Sequence, residues 1–323
     1  MGPAGSGSLA RALRAALLAA FLLAPASGGQ VMAAESAESG THEWSLEHQG
    51  RTRTYRIYVP KGYEPAKALP LVIAMHGGTG TAKGMQKLAG NFDEIADREG
   101  FFVAYPDGYG RTWNDGRALD SFPAMKENVD DVDFIRTLID TLHARLNVDV
   151  TRVYATGISN GGHMSHRLAA ELSDRLAAVA PVAASMPANI LKTASPAHPI
   201  GILMIFGTED PLNWWKGGGA AGGTSPPVPD MIRWWARQNG CAEEPTVTRL
   251  PDAVDDGTHI RREDFSPCAS GYDVALLAIE GGGHTWPGGW QYLPEERIGK
   301  TTRNLNANEA MWAFFKQYRR EAQ

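Results

Sequence analysis

Cysteine is scarce in this 323-residue chain: only Cys241 and Cys268 occur. Two thiols cannot build the multi-bridge framework of a small secreted scaffold. Neither has a histidine spaced for zinc binding or thiol catalysis. Basic residues are also short, with 31 Lys and Arg against 36 Asp and Glu, for a net charge of −5. Without a basic stripe, no nucleic acid is expected as a partner. Past residue 24, no apolar run approaches the roughly 20 residues that span a bilayer. Internal repeats and Ser/Thr/Pro linkers are lacking, so nothing marks a tethered second domain. Against these absences stands a composition of 43% apolar and 21% charged residues. That balance supports a sizeable buried core.

The first 34 residues differ from the rest. Arg11 and Arg14 precede a short apolar run, Ala15 to Ala24, followed by small residues at Ala24-Pro25-Ala26 and Val31-Met32-Ala33. This is the layout of a secretory signal peptide and its processing region, and the run is too short for a membrane anchor. Its removal takes away Arg11 and Arg14, so the mature charge becomes −5 − 2 = −7. No stable membrane insertion is expected afterwards. In an exported chain two cysteines tend to pair. A Cys241–Cys268 bridge would close a loop of about 28 residues, worth roughly 3.5 kcal/mol in the chain-entropy model. Two buried free thiols are the alternative.

Residues 35–42 read as a polar, mobile start. Strands are expected at Arg53–Val59, Leu69–Met75, Phe101–Tyr105, Val153–Gly157, Ala177–Ala183, Ile200–Phe206, Thr246–Leu250, Ile260–Phe265 and Val274–Ile279. Between them lie helical patterns over 82–98, after Asp130, over Asn160–Arg175 and over Asp230–Gln238. A last helix carries Met311, Phe314, Phe315 and Tyr318. Ile135, Leu138, Ile139, Leu142 and Leu146 recur every three or four residues and define one helix face, with Asp130 and Asp131 at its N-cap. Apolar strands alternating with amphipathic helices give a mostly parallel sheet with helices on both faces.

The strongest local signal is Gly157-Ile158-Ser159-Asn160-Gly161-Gly162, a G-x-S-x-G pattern between an expected strand and helix. Such a turn pushes the serine hydroxyl into the open, and its glycines remove Cβ atoms that would clash. A serine nucleophile needs a base, and the base needs an orienting acid. Asp210 follows the strand at 200–206 in Gly207-Thr208-Glu209-Asp210-Pro211. His284 follows the strand at 274–279 in Gly281-Gly282-Gly283-His284. Serine, acid, histidine is the chain order of the α/β-hydrolase fold. Glu209 is an alternative acid. His163 and His166 permit a metal pair by spacing, but no carboxylate accompanies them, so they read as surface or supporting residues. Acyl transfer also needs two preset N–H donors for the oxyanion. Asn160 is one candidate. Gly78 in His76-Gly77-Gly78-Thr79 is the other, with Gly77 and Thr79 as neighbours in doubt.

His76-Gly77-Gly78, Gly157 to Gly162, Gly207 to Pro211 and Gly281-Gly282-Gly283-His284-Thr285-Trp286-Pro287-Gly288-Gly289 together resemble the secreted esterases of the polyhydroxybutyrate depolymerase family. That family is similar to feruloyl and acetyl-xylan esterases of carbohydrate esterase family 1. The resemblance spans about residues 45–320. It implies Ser159 as nucleophile, Asp210 as acid, His284 as base and a Cys241–Cys268 pair. Acyl transfer through such a serine needs no metal or organic cofactor. After the acid, however, Trp214-Trp215-Lys216-Gly217-Gly218 and the Gly/Ala tract to Gly223 depart from the pattern. The expectation is a single catalytic domain over 43–323, acting as an exported serine esterase. Its substrates would be hydroxyalkanoate oligomers or feruloyl or acetyl esters of plant polysaccharide. An acyltransferase and a non-catalytic binding protein on the same scaffold are the alternatives. Trp113, Trp214 and Trp286, with Trp215, fall on loops near strand C-termini, where flat acyl groups or sugar rings could stack; plain packing is the other reading. Trp234 and Trp235 lie inside a helix and are expected in the core.

Overall fold

The computed structural model describes residues 1–2, 37–220 and 224–321. The expected export segment lies outside the described residues. The chain divides into Met1–Met32 and Ala33–Gln323, and every element below belongs to the second unit.

Ten strands form one sheet: β1 Gly40–His48, β2 Arg51–Val59, β3 Leu69–Met75, β4 Phe102–Pro106, β5 Val148–Ile158, β6 Ala178–Val182, β7 Gly201–Gly207, β8 Thr246–Arg249, β9 His259–Asp264 and β10 Val274–Glu280. Their order is β1-β2-β4-β3-β5-β6-β7-β10-β9-β8. The run from β4 to β10 is parallel, and antiparallel pairs close both edges. The helices are α1 Ala82–Leu88, α2 Phe92–Glu99, α3 Pro123–Lys126, α4 Asp131–Leu146, α5 Asn160–Glu171, α6 Ala188–Leu191, α7 Val228–Gln238, α8 Glu295–Ile298 and α9 Ala307–Phe315.

The central strands are buried on both faces, which explains their unbroken apolar runs. On β3, Leu71, Ile73 and Met75 join the core under α4, α5 and α7, which includes Phe134, Leu138, Leu168 and Trp235. Val72 and Ala74 face the opposite core, with Met85, Phe92, Met311 and Phe315 from α1, α2 and α9. Asp130 caps α4 as expected, its Oδ1 accepting the Asp133 N–H at 3.0 Å. Cys241 and Cys268 are disulfide-bonded and tie the end of α7 to the segment before β10.

Three expectations change. The last helix ends at Phe315, so Tyr318 joins the core from beyond its C-terminus. The supposed mobile start contains part of β1, which pairs with β2 from Gly40↔Val59 to His48↔Arg51. A two-residue turn joins them, with Gln49 and Gly50 at φ 48° and 73°, the double positive φ that a tight hairpin requires. The folded unit therefore includes residues before 43. The single helix expected over 82–98 is two helices, interrupted at Gly90, whose φ of 58° breaks the helical run.

Candidate active site

The ends of β3, β5, β7 and β10 carry the chemistry-bearing residues, all at the carboxyl edge of the parallel sheet, where such sheets place ligands. Ser159 sits between β5 and α5 at φ 57°, ψ −119°. An L-residue persists in such a conformation only when its surroundings enforce it. Here the Ser159 N–H donates to Val182 O at 3.0 Å, while its carbonyl accepts the His163 N–H at 2.8 Å. A Cβ on Gly161 would lie 2.3 Å from Met75 O, and one on Gly157 2.6 Å from the Gly161 carbonyl carbon. The glycines thus let α5 start directly against the end of β3.

Asp210 and His284 meet. The His284 Nδ1 donates to Asp210 Oδ2 at 2.7 Å, and both residues are buried. A carboxylate only accepts, so the neutral imidazole carries its proton on Nδ1 and leaves Nε2 as a base. The other oxygen, Oδ1, accepts the N–H groups of Leu212 and Asn213, each at 2.8 Å. Glu209, the alternative acid, is exposed. A Cβ on Gly207 would meet Gly282 O at 2.3 Å, so the acid strand and the histidine loop are pressed together.

The donor loop after β3 is braced on several sides. Gly108 N–H donates to His76 Nε2 at 2.9 Å, so the ring proton is on Nδ1, which donates to Gly77 O at 2.7 Å. Burial holds the His76 pKa below its ordinary value, which keeps that tautomer neutral. Trp113 Nε1 donates to His76 O at 2.9 Å. The Thr79 N–H is committed to Arg111 O at 2.8 Å, which removes Thr79 from the candidate oxyanion donors. Gly78 stays in place beside Asn160, since a Cβ on Gly78 would be 3.9 Å from Asn160 Cβ. The Asn160 side chain anchors the start of α5, accepting from Trp113 N at 2.8 Å and donating to Asp115 Oδ2 at 2.7 Å.

Ser159, His284, Gly77 and Gly78 line one cavity of about 570 Å³. Met85, Leu88, Phe122, Leu212, Trp290, Tyr292 and Leu293 supply large apolar side chains to its wall, and Arg117 also lines it. A larger cavity of about 770 Å³ lies beside β1 and β2 but contains none of the expected catalytic residues. Among the described residues, no group of three or more His, Cys, Asp or Glu is placed to hold a metal. No helix among them is long and apolar enough to cross a membrane.

The tryptophans fall elsewhere than sequence suggested. Trp113 and Trp286 are fully buried, their indole N–H groups bonded to His76 O and to Asn308 Oδ1, so neither ring face is open to a substrate. Trp214 is half-exposed, stacks over Gly218 and does not line the cavity. Trp290, 47% exposed, and Tyr292 take that place. They follow directly on the Gly-rich histidine stretch, a signal that sequence reading passed over. Arg117 and Phe122 were also missed. His163 and His166 are buried on α5, bonded to Ser185 O and Ala184 O, which excludes the surface reading and leaves the supporting one. Trp235 is in the core and Trp234 only half-buried.

An α/β-hydrolase architecture is defined by this sheet order and by the sharp strand–Ser159–helix turn. The chain matches the dienelactone hydrolase family over residues 59–214, a span that contains the Gly77–Gly78 loop, Ser159 and Asp210. It is 36% identical over 272 residues to NocK of Nocardia uniformis subsp. tsuyamanensis, a protein described as an esterase, covering 80% of this chain and 77% of that one. It is 31% identical over 253 residues to feruloyl esterase B of Piromyces equi, covering 74% of this chain and 44% of the relative. Among solved structures, an acetyl xylan esterase from Aspergillus awamori superposes with a TM-score of 0.57 at 15% identity, covering 86% of this chain and 100% of that one, a likeness of fold. The chain belongs to the dienelactone hydrolase family.

Proposed function

We propose that this protein is an exported serine esterase that cleaves carboxylic esters through an acyl-enzyme, with Ser159, His284 and Asp210 as its triad. The observation that carries this reading is the buried 2.7 Å bond from His284 Nδ1 to Asp210 Oδ2, in one cavity with a serine held at φ 57°. Asp210 fixes the tautomer and stabilises the imidazolium. His284 Nε2 takes the Ser159 proton as Oγ attacks the ester carbonyl. The oxyanion forms between the N–H groups of Gly78 and Asn160, where each donor typically supplies about 2.7–4 kcal/mol. His284 then protonates the leaving alcohol, and a water activated by the same base frees the acid. The residues at 1–34 would direct export, with residues from Gly40 onward as the catalytic domain.

The names of the relatives favour feruloyl or acetyl esters, and hydroxyalkanoate oligomers fit the same chemistry. Hydrolysis of p-nitrophenyl acetate by wild type and Ser159→Ala tests the central reading. Loss of the nucleophile should lower kcat by about 10⁶; equal rates would end it. A panel of methyl ferulate, acetylated xylan and hydroxybutyrate oligomers then sorts the substrate classes.

A further inference from the structure

The cavity has two unlike walls. Tyr292 Oη donates to His284 O at 2.8 Å, so the Trp290–Leu293 wall stands beside the base. The departing alcohol receives its proton from that base and must therefore lie toward this wall. The acyl group then lies toward the other wall, where Phe122 packs against Gly78, within 3.0 Å of where a Cβ would be.

Arg117 stands behind Phe122, its guanidinium carbon 5.1 Å from the ring centre. The side chain is 5% exposed and paired with the fully buried Asp115, Nε at 2.9 Å and Nη2 at 2.8 Å from Oδ2. Both bonds leave from one edge of the guanidinium. Nη1 has no protein acceptor among the described residues, and the side chain lines the cavity. Among the described lining residues it is the one permanently charged group. Nη1 is not among the buried polar atoms left without a partner, so it opens on the solvent of the cavity, where a ligand oxygen can take the place of water.

We propose that Arg117 is the acyl-specificity residue: its free edge donates a charge-assisted hydrogen bond to an uncharged oxygen, hydroxyl or carbonyl, carried on the acyl group about one ring-width beyond the scissile carbonyl. An uncharged acceptor fits better than a carboxylate. Asp115 already neutralises the guanidinium, so a second anion would gain little. This inference rests on the esterase reading and narrows its substrate class.

Matched ester pairs test it: methyl 4-hydroxycinnamate against methyl cinnamate, and p-nitrophenyl 3-hydroxybutyrate against the butyrate. A charge-assisted bond predicts a wild-type kcat/KM preference of about ten- to hundredfold for the oxygenated member of at least one pair. Arg117→Met combined with Asp115→Asn removes both members of the ion pair and should bring that ratio near unity. Arg117→Lys, which keeps the pair but lacks the second edge, should also lose most of it. The inference is overturned if wild type hydrolyses p-nitrophenyl acetate in a Ser159-dependent way yet prefers neither oxygenated ester. It is likewise overturned if the variants keep the preference, or if p-nitrophenyl hydrogen succinate outruns the neutral esters. Absence of any ester hydrolysis by wild type would instead defeat the esterase reading itself.

Discussion

Gly161→Ala places one methyl group at the tightest point of the elbow. Its Cβ would lie 2.3 Å from Met75 O and 2.6 Å from His76 O, whereas ordinary contact begins near 3.4 Å. Both obstacles are backbone oxygens at the end of β3, so no rotamer change relieves the overlap. Alanine favours a helix over glycine by about 1 kcal/mol. Overpacking of a rigid site costs about 1–3 kcal/mol, so sterics should win. The expected net loss of stability is up to about 2 kcal/mol. The larger effect should be on rate. To clear the overlap, the start of α5 must move away from β3 by roughly 1 Å, and it carries the Ser159 hydroxyl and the Asn160 N–H away from Gly78. A displacement of that size typically costs about 10²-fold in rate. Urea denaturation and p-nitrophenyl acetate turnover measure the two terms on one preparation. Unchanged stability with kcat within twofold of wild type would refute the close-approach reasoning.

Asp210→Asn should fold normally, since its side-chain oxygen can still accept from Leu212 and Asn213, but its amide would force His284 into the wrong tautomer; kcat should fall about 10⁴-fold. Arg53→Met leaves Asp131 buried without the guanidinium that now donates to it at 2.8 Å, and urea titration should show a loss of about 3–5 kcal/mol. Burial pushes the His166 imidazole down to about 3, and its Nδ1 accepts from Trp235 Nε1 at 3.2 Å. Its contribution to stability is therefore whole above the unfolded value near 6.5 and is lost as pH falls toward about 3, because the unfolded chain takes up the proton first. His166→Gln should flatten the acid limb of stability between pH 6 and 4 by up to about 1.4 kcal/mol per pH unit; an unchanged slope would contradict this.

The parallel core was legible because its strands are buried on both faces and read as continuous apolar runs. Asp210 and His284 could be placed because each follows such a run directly. Strand β1 was hidden because two of its inward positions are His42 and His48, which do not register as apolar although they alternate with exposed Thr41 and Glu47. The break between α1 and α2 left a weak trace, a lone Gly90. The cavity walls were the least legible part. Trp113 and Trp286 sit on loops beside the site, as expected, but backbone and side-chain acceptors draw their N–H groups inward. Arg117 reaches the cavity only because Asp115 and Asn160 fix the loop that carries it, a tertiary fact that no local pattern encodes.

The most direct measurement is covalent labelling with a p-nitrophenyl phosphonate followed by peptide mass analysis. One adduct per chain is expected, on the peptide containing Ser159, absent in Ser159→Ala and slowed by orders of magnitude in His284→Ala. Stoichiometric labelling of another residue, or equal labelling of all three proteins, would contradict the assignment of Ser159 as a nucleophile activated by His284.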